Sequence, residues 1–269
     1  MLPRVVACDL DGTLLRSDGT LDERSRRALA AVQGAGALLV LCTARPSRWM
    51  RPLTQATGHS GVAICANGAV VWDLHAEALL EARALPAAAA RTVITLLRTA
   101  LPNATWAVER PEGFAHESAY TPRWPVPEDT LIAPIDSLID EPVVKLMLRE
   151  EAHTADALLA IASGLVGHLA ELSHSNSADC LVEIAAPGVN KASALADLCA
   201  ARGIDPAAVI AFGDMPNDLP MLRWAGHGVA VSNAHPHVLA AADEITTGND
   251  DAGVARVLER LLPSVPETE

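Results

Sequence analysis

Aromatic residues are scarce in this chain of 269 residues, which holds two Phe, one Tyr and five Trp. Its cores must therefore be filled by Ala, Val and Leu, and the abundance of Ala favours helices. Basic residues are also short: 20 Lys plus Arg face 33 Asp plus Glu, a formal net charge of −13. Such a surface repels a phosphate backbone on average, which argues against a nucleic-acid partner. A small anion is still admissible, because a metal and a few local cations outweigh a distant acidic surface. No apolar run approaches the length of a membrane span. Met1–Val6 is too short for the apolar region of a signal peptide, and Asp9 and Asp11 interrupt it. No cysteine pair has a CxxC spacing. Cys8, Cys42, Cys65, Cys180 and Cys199 are odd in number and read as buried free thiols in a reducing compartment. The expectation is a cytoplasmic protein with no membrane contact; the oligomeric state is left open.

What is present is a globular composition, half apolar and 20% charged, long enough for one large domain or two modest ones. The apolar runs Val5–Leu10, Ala37–Cys42 and Val62–Cys65 read as buried strands, separated by helices from Asp22 to Gln33 and from Pro46 to Thr57. The same rhythm returns from Lys191 onward, with strands at Val209–Phe212, Gly228–Val231 and Glu244–Thr247. Strand–helix alternation of this kind predicts a parallel sheet covered on both faces. The middle differs. A hairpin at Ala69–Trp72 and Ala78–Ala84 is followed by two helix-plus-two-strand units, with a Pro-broken loop from Pro122 to Pro134. The expected fold class is α/β, a Rossmann-like parallel core with an inserted α+β cap. The core would be 1–81 and 185–269, and the cap 82–184.

Four segments carry chemistry. Asp9-Leu10-Asp11-Gly12-Thr13 follows the first strand, where ligands bind in a parallel sheet. Alternation places Asp9 and Asp11 on one side with Leu10 turned away. Two carboxylates so placed attract a divalent cation, and oxygen ligands suit magnesium. Gly12 lets the backbone turn, and Thr13 is expected to tie that turn to itself. Thr43-Ala44-Arg45 ends the second strand with a hydroxyl and amides suited to a phosphate oxygen. Lys191 opens a helix after Pro187-Gly188 and can neutralise phosphate. Gly213-Asp214-Met215-Pro216-Asn217-Asp218 again puts carboxylates at a strand end, with Asn217 or Asp218 also able to cap the next helix.

Together, in this order and spacing, these segments resemble the haloacid dehalogenase-like phosphatase superfamily, in its Cof-like sugar-phosphatase branch (subfamily IIB). Asn67-Gly68-Ala69 and the stretch from Asp243 to Gly253-Val254-Ala255 agree with it; Ala44 stands where the family more often has Gly. The resemblance implies a magnesium-dependent phosphatase acting on a small phosphorylated metabolite. Asp9 would be the nucleophile that forms an aspartyl-phosphate, and Asp11 the general acid and base. Asp9, the backbone carbonyl of Asp11 and Asp214 would hold magnesium, with Asp218 ligating or supporting it. Thr43, Ala44, Lys191, Asn217 and the Leu10 amide would contact phosphate.

The inserted lobe would then close over the site, with Phe114, His116, Tyr120 and Trp124 as candidate readers of the leaving group, and with Arg45 and Arg48 facing the substrate or pairing with the cap. His235-Pro236-His237 reads as a helix start rather than a metal pair, Arg24, Arg26 and Arg27 as a solvated helix face, and Trp49 and Trp224 as packing. Two rival readings stand beside the hydrolase: a phosphomutase of sugar phosphates, and a sensor that binds a phosphometabolite without turning it over.

Overall fold

The computed structural model describes residues 2–59, 61–110 and 113–262. Pro111, Glu112 and the tail from Pro263 to Glu269 lie outside the described residues.

The first strand, β1 (Val5–Cys8), is buried at every position, as a strand covered on both faces must be. α1 (Glu23–Gly34) follows, capped by Asp22, which accepts the Ser25 amide at 3.0 Å. β2 (Leu38–Cys42), a 3-10 turn at Ser47–Trp49, α2 (Met50–Thr57) and β3 (Val62–Cys65) repeat the pattern. The hairpin is β4 (Val70–Asp73) and β5 (Ala78–Ala82). The inserted stretch holds α3 (Ala87–Ala100), β6 (Thr105–Arg110), β7 (Gly113–His116), β8 (Leu131–Ile132) and α4 (Ile135–Leu138). It continues with β9 (Lys145–Arg149), α5 (Ala155–Val166), β10 (Glu171–Ser173) and β11 (Leu181–Ala185). The alternation then resumes as α6 (Lys191–Ala200), β12 (Val209–Gly213), α7 (Leu219–Trp224), β13 (His227–Val231), α8 (Pro236–Leu239), β14 (Glu244–Thr246) and α9 (Gly253–Leu261).

Two sheets result. The larger has eight strands in the order β14-β13-β12-β1-β2-β3-β4-β5. Pairing is parallel from β14 through β3 and antiparallel across the β4–β5 hairpin. β1 sits at its centre, so its C-terminal end opens at the switch point where successive strands run outward in both directions, the place such sheets offer a ligand. The smaller sheet has six strands, β10-β11-β9-β6-β7-β8, antiparallel except for the β7–β8 pair. This is the α/β core with an inserted α+β unit that the sequence pattern predicts.

The stretch expected to be irregular between Pro122 and Pro134 runs into two short elements, β8 and α4. Neither is long enough to show a period in sequence. α4 is held by burial, with Ile135, Leu138 and Ile139 fully covered in the core of the inserted unit, whereas the exposed β8 is held by its parallel pairing with β7.

Alternation along the smaller sheet divides its two faces. Trp106, Val108, Leu146, Leu148, Val182 and Ile184 pack against Val93 and Leu97 of α3 and Leu158 and Ala162 of α5. The intervening residues Glu109, Lys145 and Glu183 point to the other face and touch the larger domain. Lys145 donates to the Ala44 carbonyl at 2.8 Å, Asn67 donates to Glu183 at 3.0 Å, and Arg48 pairs with Glu109. The helix-free face of the inserted sheet is thus a roof over the C-terminal ends of the core strands.

Candidate active site

Asp9 is set by an extension of the β1–β12 ladder: its amide donates to the Phe212 carbonyl at 3.0 Å. The chain then turns around Leu10, whose carbonyl accepts the amides of Thr13, Leu14 and Leu15. Gly12 takes φ +82°, and a Cβ there would lie 2.4 Å from Asp214 Oδ2. Glycine is needed at that point both for its backbone angle and for its size. Thr13 does not tie the turn to itself as expected. Its hydroxyl crosses to Asp214 Oδ1 at 2.7 Å and locks the first motif to the fourth.

Lys191 is the first residue of α6, placed by a reciprocal cap in which Asn190 accepts the Ser193 amide at 3.0 Å and Ser193 Oγ accepts the Asn190 amide at 3.1 Å. It is completely buried and lies between two carboxylates, 2.5 Å from Asp9 Oδ1 and 2.6 Å from Asp218 Oδ1. The other oxygen of Asp218 accepts the amides of Asp214 and Met215, each at 3.0 Å. Asp218 therefore folds back on its own loop, and no side chain caps α7. Burial opposes the charge on Lys191, but Asp218 and Asp9 raise its pKa well above the usual lysine range.

Carboxylate oxygens of Asp9, Asp214 and Asp218 lie within 4.8 Å of one another, all three residues buried. One ammonium does not balance three carboxylates. Burial, followed by the charges of its acidic neighbours, pushes Asp9 up despite Lys191. Burial and Asp218 push Asp214 up to about 7. An all-oxygen donor set with surplus negative charge, in a place where water does not screen it, fits a hard divalent cation.

Asp11 stands apart from that cluster. Its side chain is half exposed and paired with Arg45, whose Nε donates to Oδ2 at 2.7 Å. Thr43 is fully buried, and its hydroxyl accepts the Arg45 amide at 3.0 Å. Ala44 is turned so that its carbonyl meets Lys145. Asn217 donates through Nδ2 to Asn67 Oδ1 at 3.0 Å. Leu10 is fully buried.

Among the candidate readers, Phe114, His116 and Tyr120 form a ring cluster with centroids 5.6 to 6.2 Å apart. Trp124 lies elsewhere, edge-on to Trp49 of the core at 6.3 Å. Arg48 goes to the cap, and Arg45 to Asp11. His235 does precede a helix turn, but it also meets two residues of the inserted unit that sequence separation hides. Asp156 bonds His174 at 2.8 Å and His235 at 3.2 Å.

Asn67, Lys145 and Glu183 are the polar residues of this site that the motifs understated or missed. Asn67 is buried with φ +56°, and a Cβ on the next residue, Gly68, would lie 2.1 Å from the Asn190 carbonyl oxygen. One sequence signal does point to Lys145. The chain has two lysines, Lys145 and Lys191, among its 20 Lys plus Arg. Arginine serves the surface; lysine is kept at two buried points, where a compact ammonium rather than a planar fork is wanted.

The haloacid dehalogenase-like hydrolase family model matches residues 6–258. The chain belongs to that family. It is 32% identical over 267 residues to pyridoxal phosphate phosphatase YbhA of Escherichia coli, covering 96% of this chain and 98% of the relative. It is 28% identical over 266 residues to 5-amino-6-(5-phospho-D-ribitylamino)uracil phosphatase YcsE of Bacillus subtilis, covering 96% of each. The solved structure of SMU.1108c from Streptococcus mutans shares the fold, with a TM-score of 0.82 at 24% identity over 97% of this chain and 99% of that one. The family uses a metal ion in general, and two groups among the described residues could hold one: the Asp9, Asp214 and Asp218 cluster at the strand ends, and Asp156, His174 and His235 where the inserted unit meets the core. Like the relatives named above, this hydrolase is a phosphatase. Among the described residues no helix is long and apolar enough to cross a membrane.

Proposed function

We propose that this phosphatase is a magnesium-dependent, cytoplasmic enzyme that hydrolyses a small phosphorylated metabolite through an aspartyl-phosphate on Asp9. The observation that carries the reading is Lys191, fully buried and held between Asp9 and Asp218 beside Asp214. An ammonium and three carboxylates gathered from the ends of β1 and β12 and the start of α6 have no packing role that an apolar group would not fill better.

Asp9 attacks phosphorus, and the bond from phosphorus to the ester oxygen breaks. Asp11 gives its proton to that departing oxygen. A water then attacks the acyl phosphate, Asp11 takes the proton of that water, and the Asp9 carboxylate is restored. Lys191 offsets the repulsion between the Asp9 carboxylate and the incoming dianion. Asp9, Asp214 and the Asp11 carbonyl, with Asp218 at their side, would hold magnesium, whose charge stabilises the phosphoryl oxygens. Thr43, the Ala44 and Leu10 amides and Lys191 receive phosphate, with Asn217 at its edge.

Residues 82–184 act as the cap, closing on 1–81 and 185–269 to exclude water and select the leaving group. Pyridoxal phosphate, a phosphoribityl compound and hexose phosphates are the substrates to try first, the first two because the named relatives act on them. The deciding assay is phosphate release from these esters and from p-nitrophenyl phosphate, with and without magnesium. Activity should vanish with chelator and in Asp9→Asn. Full activity in Asp9→Asn, with an unchanged fold, overturns the mechanism. Return of labelled phosphate to substrate without free phosphate would favour the mutase reading instead.

A further inference from the structure

Asp156, His174 and His235 converge at the seam between the inserted unit and the core. Asp156 lies in the first turn of α5, His174 directly follows β10, and His235 precedes the first residue of α8. Asp156 Oδ1 is 2.8 Å from His174 Nε2, and its Oδ2 is 3.2 Å from His235 Nε2. One ligand atom from each of the three lies within 4.8 Å of the others. The His174 side chain is completely buried and that of His235 nearly so, while Asp156 is half exposed.

Packing does not account for His174. Its Nδ1 is buried without a partner among the described residues. A buried ring with one nitrogen unpaired is costly, and an apolar side chain would fill the place better unless the other nitrogen serves a ligand. That other nitrogen, Nε2, is the one turned to Asp156. The Asp156 carboxyl is held below the usual carboxylate range, first by its bond to His174, so it faces the two rings as an anion.

Two imidazoles and a carboxylate suit zinc and its neighbours, whereas magnesium prefers oxygen throughout. Tetrahedral zinc sets its donors about 3.3 Å apart. The Asp156–His235 pair is already near that spacing, and the Asp156–His174 pair would open by about half an ångström. An ion takes the Nε2 lone pair of each ring, and the ring proton is then carried on Nδ1. His235 gives up one weak bond in exchange, from the His237 amide to its Nδ1 at 3.2 Å. His174 gives up none. The exposed side of Asp156 supplies a path of entry, and a fourth position is left to water.

We infer that Asp156, His174 and His235 bind one divalent transition ion of the zinc class, separate from the strand-end acidic cluster, and that this ion fastens the inserted unit to the core. Two ligands come from the inserted unit and one from the core. The His235 amide donates to the Asp214 carbonyl at 2.8 Å, so the tie reaches the loop that carries Asp214. The site stands on its own geometry and does not depend on the phosphatase reading.

The test is zinc titration of the full chain by calorimetry, with magnesium in large excess to occupy the oxygen-only cluster. His174→Gln and Asp156→Asn lie outside the catalytic machinery and keep polar side chains of similar shape. An unchanged rise in unfolding temperature with magnesium will show that each is folded. The natural chain should take up one more zinc per chain than either variant, or bind that zinc more than about 100-fold tighter, since even outer-shell losses cost 10–100-fold. His237→Ala should bind as the natural chain does, because that ring is exposed and outside the cluster, although it packs 4.9 Å from His235. Equal zinc uptake by the natural chain and both variants overturns the site, as does loss of the extra zinc in His237→Ala. Hydrogen exchange reads the fastening. Zinc should slow exchange in α5 and α8 together in the natural chain and in neither variant. Slowing on one side of the seam only overturns the tie.

Discussion

Arg45 grips Asp11 through both carboxylate oxygens, Nε on Oδ2 at 2.7 Å and Nη2 on Oδ1 at 2.5 Å. The bidentate pair holds Asp11 at the mouth of the site, half exposed, while Asp9 two residues earlier is buried. Two carboxylates separated by one residue thus live in different surroundings, which is what a nucleophile and a proton carrier require.

The first prediction follows from that separation. Asp11→Asn should lower steady-state phosphate release by about 10²–10⁴, the usual range for a lost general acid and base. The rise in unfolding temperature on adding magnesium should be unchanged, since the Asp11 side chain is outside the Asp9, Asp214 and Asp218 cluster. Loss of the magnesium response in this variant would place that side chain on the metal and contradict the division of roles.

Lys191→Met tests the buried ammonium. Asp9 and Asp218 would be left without their shared counter-charge, and breaking a buried pair from one side costs about 3–5 kcal/mol. Chemical unfolding should show a loss of that order, and magnesium should recover part of it. A variant as stable as the natural chain without metal would mean that water already solvates the two carboxylates.

The acidic cluster also sets a pH dependence. Burial, then the charge of Asp218, raises Asp214 from 3.8 to about 7. Between those values the folded chain binds more protons at this group than the unfolded chain does, so its contribution to stability falls as pH rises. Magnesium competes with those protons. The difference in unfolding temperature between magnesium-loaded and chelator-treated protein should therefore grow from pH 5 to pH 7.5. A difference that is flat across that range would show that Asp214 is already ionised without metal.

Gly12→Ala should damage the site from the backbone. The left-handed angle alone costs a side-chain-bearing residue about 1–2 kcal/mol, and the new methyl would meet Asp214 Oδ2. Titration with magnesium should show weaker binding than in the natural chain. Gly58→Ala, also left-handed but with open space around it, should lose stability while keeping the metal response. Equal metal affinity in the two variants would remove the steric part of the argument.

Much of this molecule was legible along the chain. Val5–Cys8 and Val62–Cys65 are short, apolar and flanked by turn residues, and they are strands as expected. The motif residues stand at strand ends because a parallel sheet delivers each strand's C-terminus to the same edge, so Asp9, Thr43 and Asp214 were bound to be neighbours. Lys191 could be foreseen at a helix start. By contrast, β8 and α4 carry no period: pairing with β7 defines the first, and burial of Ile135 and Leu138 the second.

The polar residues on the core-facing side of the inserted sheet were the least legible. Lys145 and Glu183 sit in strands whose sequence says which side chains share a face, but not which face meets helices and which meets the core. That choice depends on where α3 and α5 pack, and packing is a property of the assembled layers. The sequence by itself determined which groups meet: the Asp9 carboxylate, the Lys191 ammonium, the second acidic segment and their order on one sheet edge, because local backbone rules carry each to a strand end or helix start. The tertiary structure alone decided the partners, Asp11 with Arg45, Thr13 with Asp214, and Glu183 with Asn67, because hydrogen bonds between segments distant in sequence depend on directions in space that no local pattern encodes.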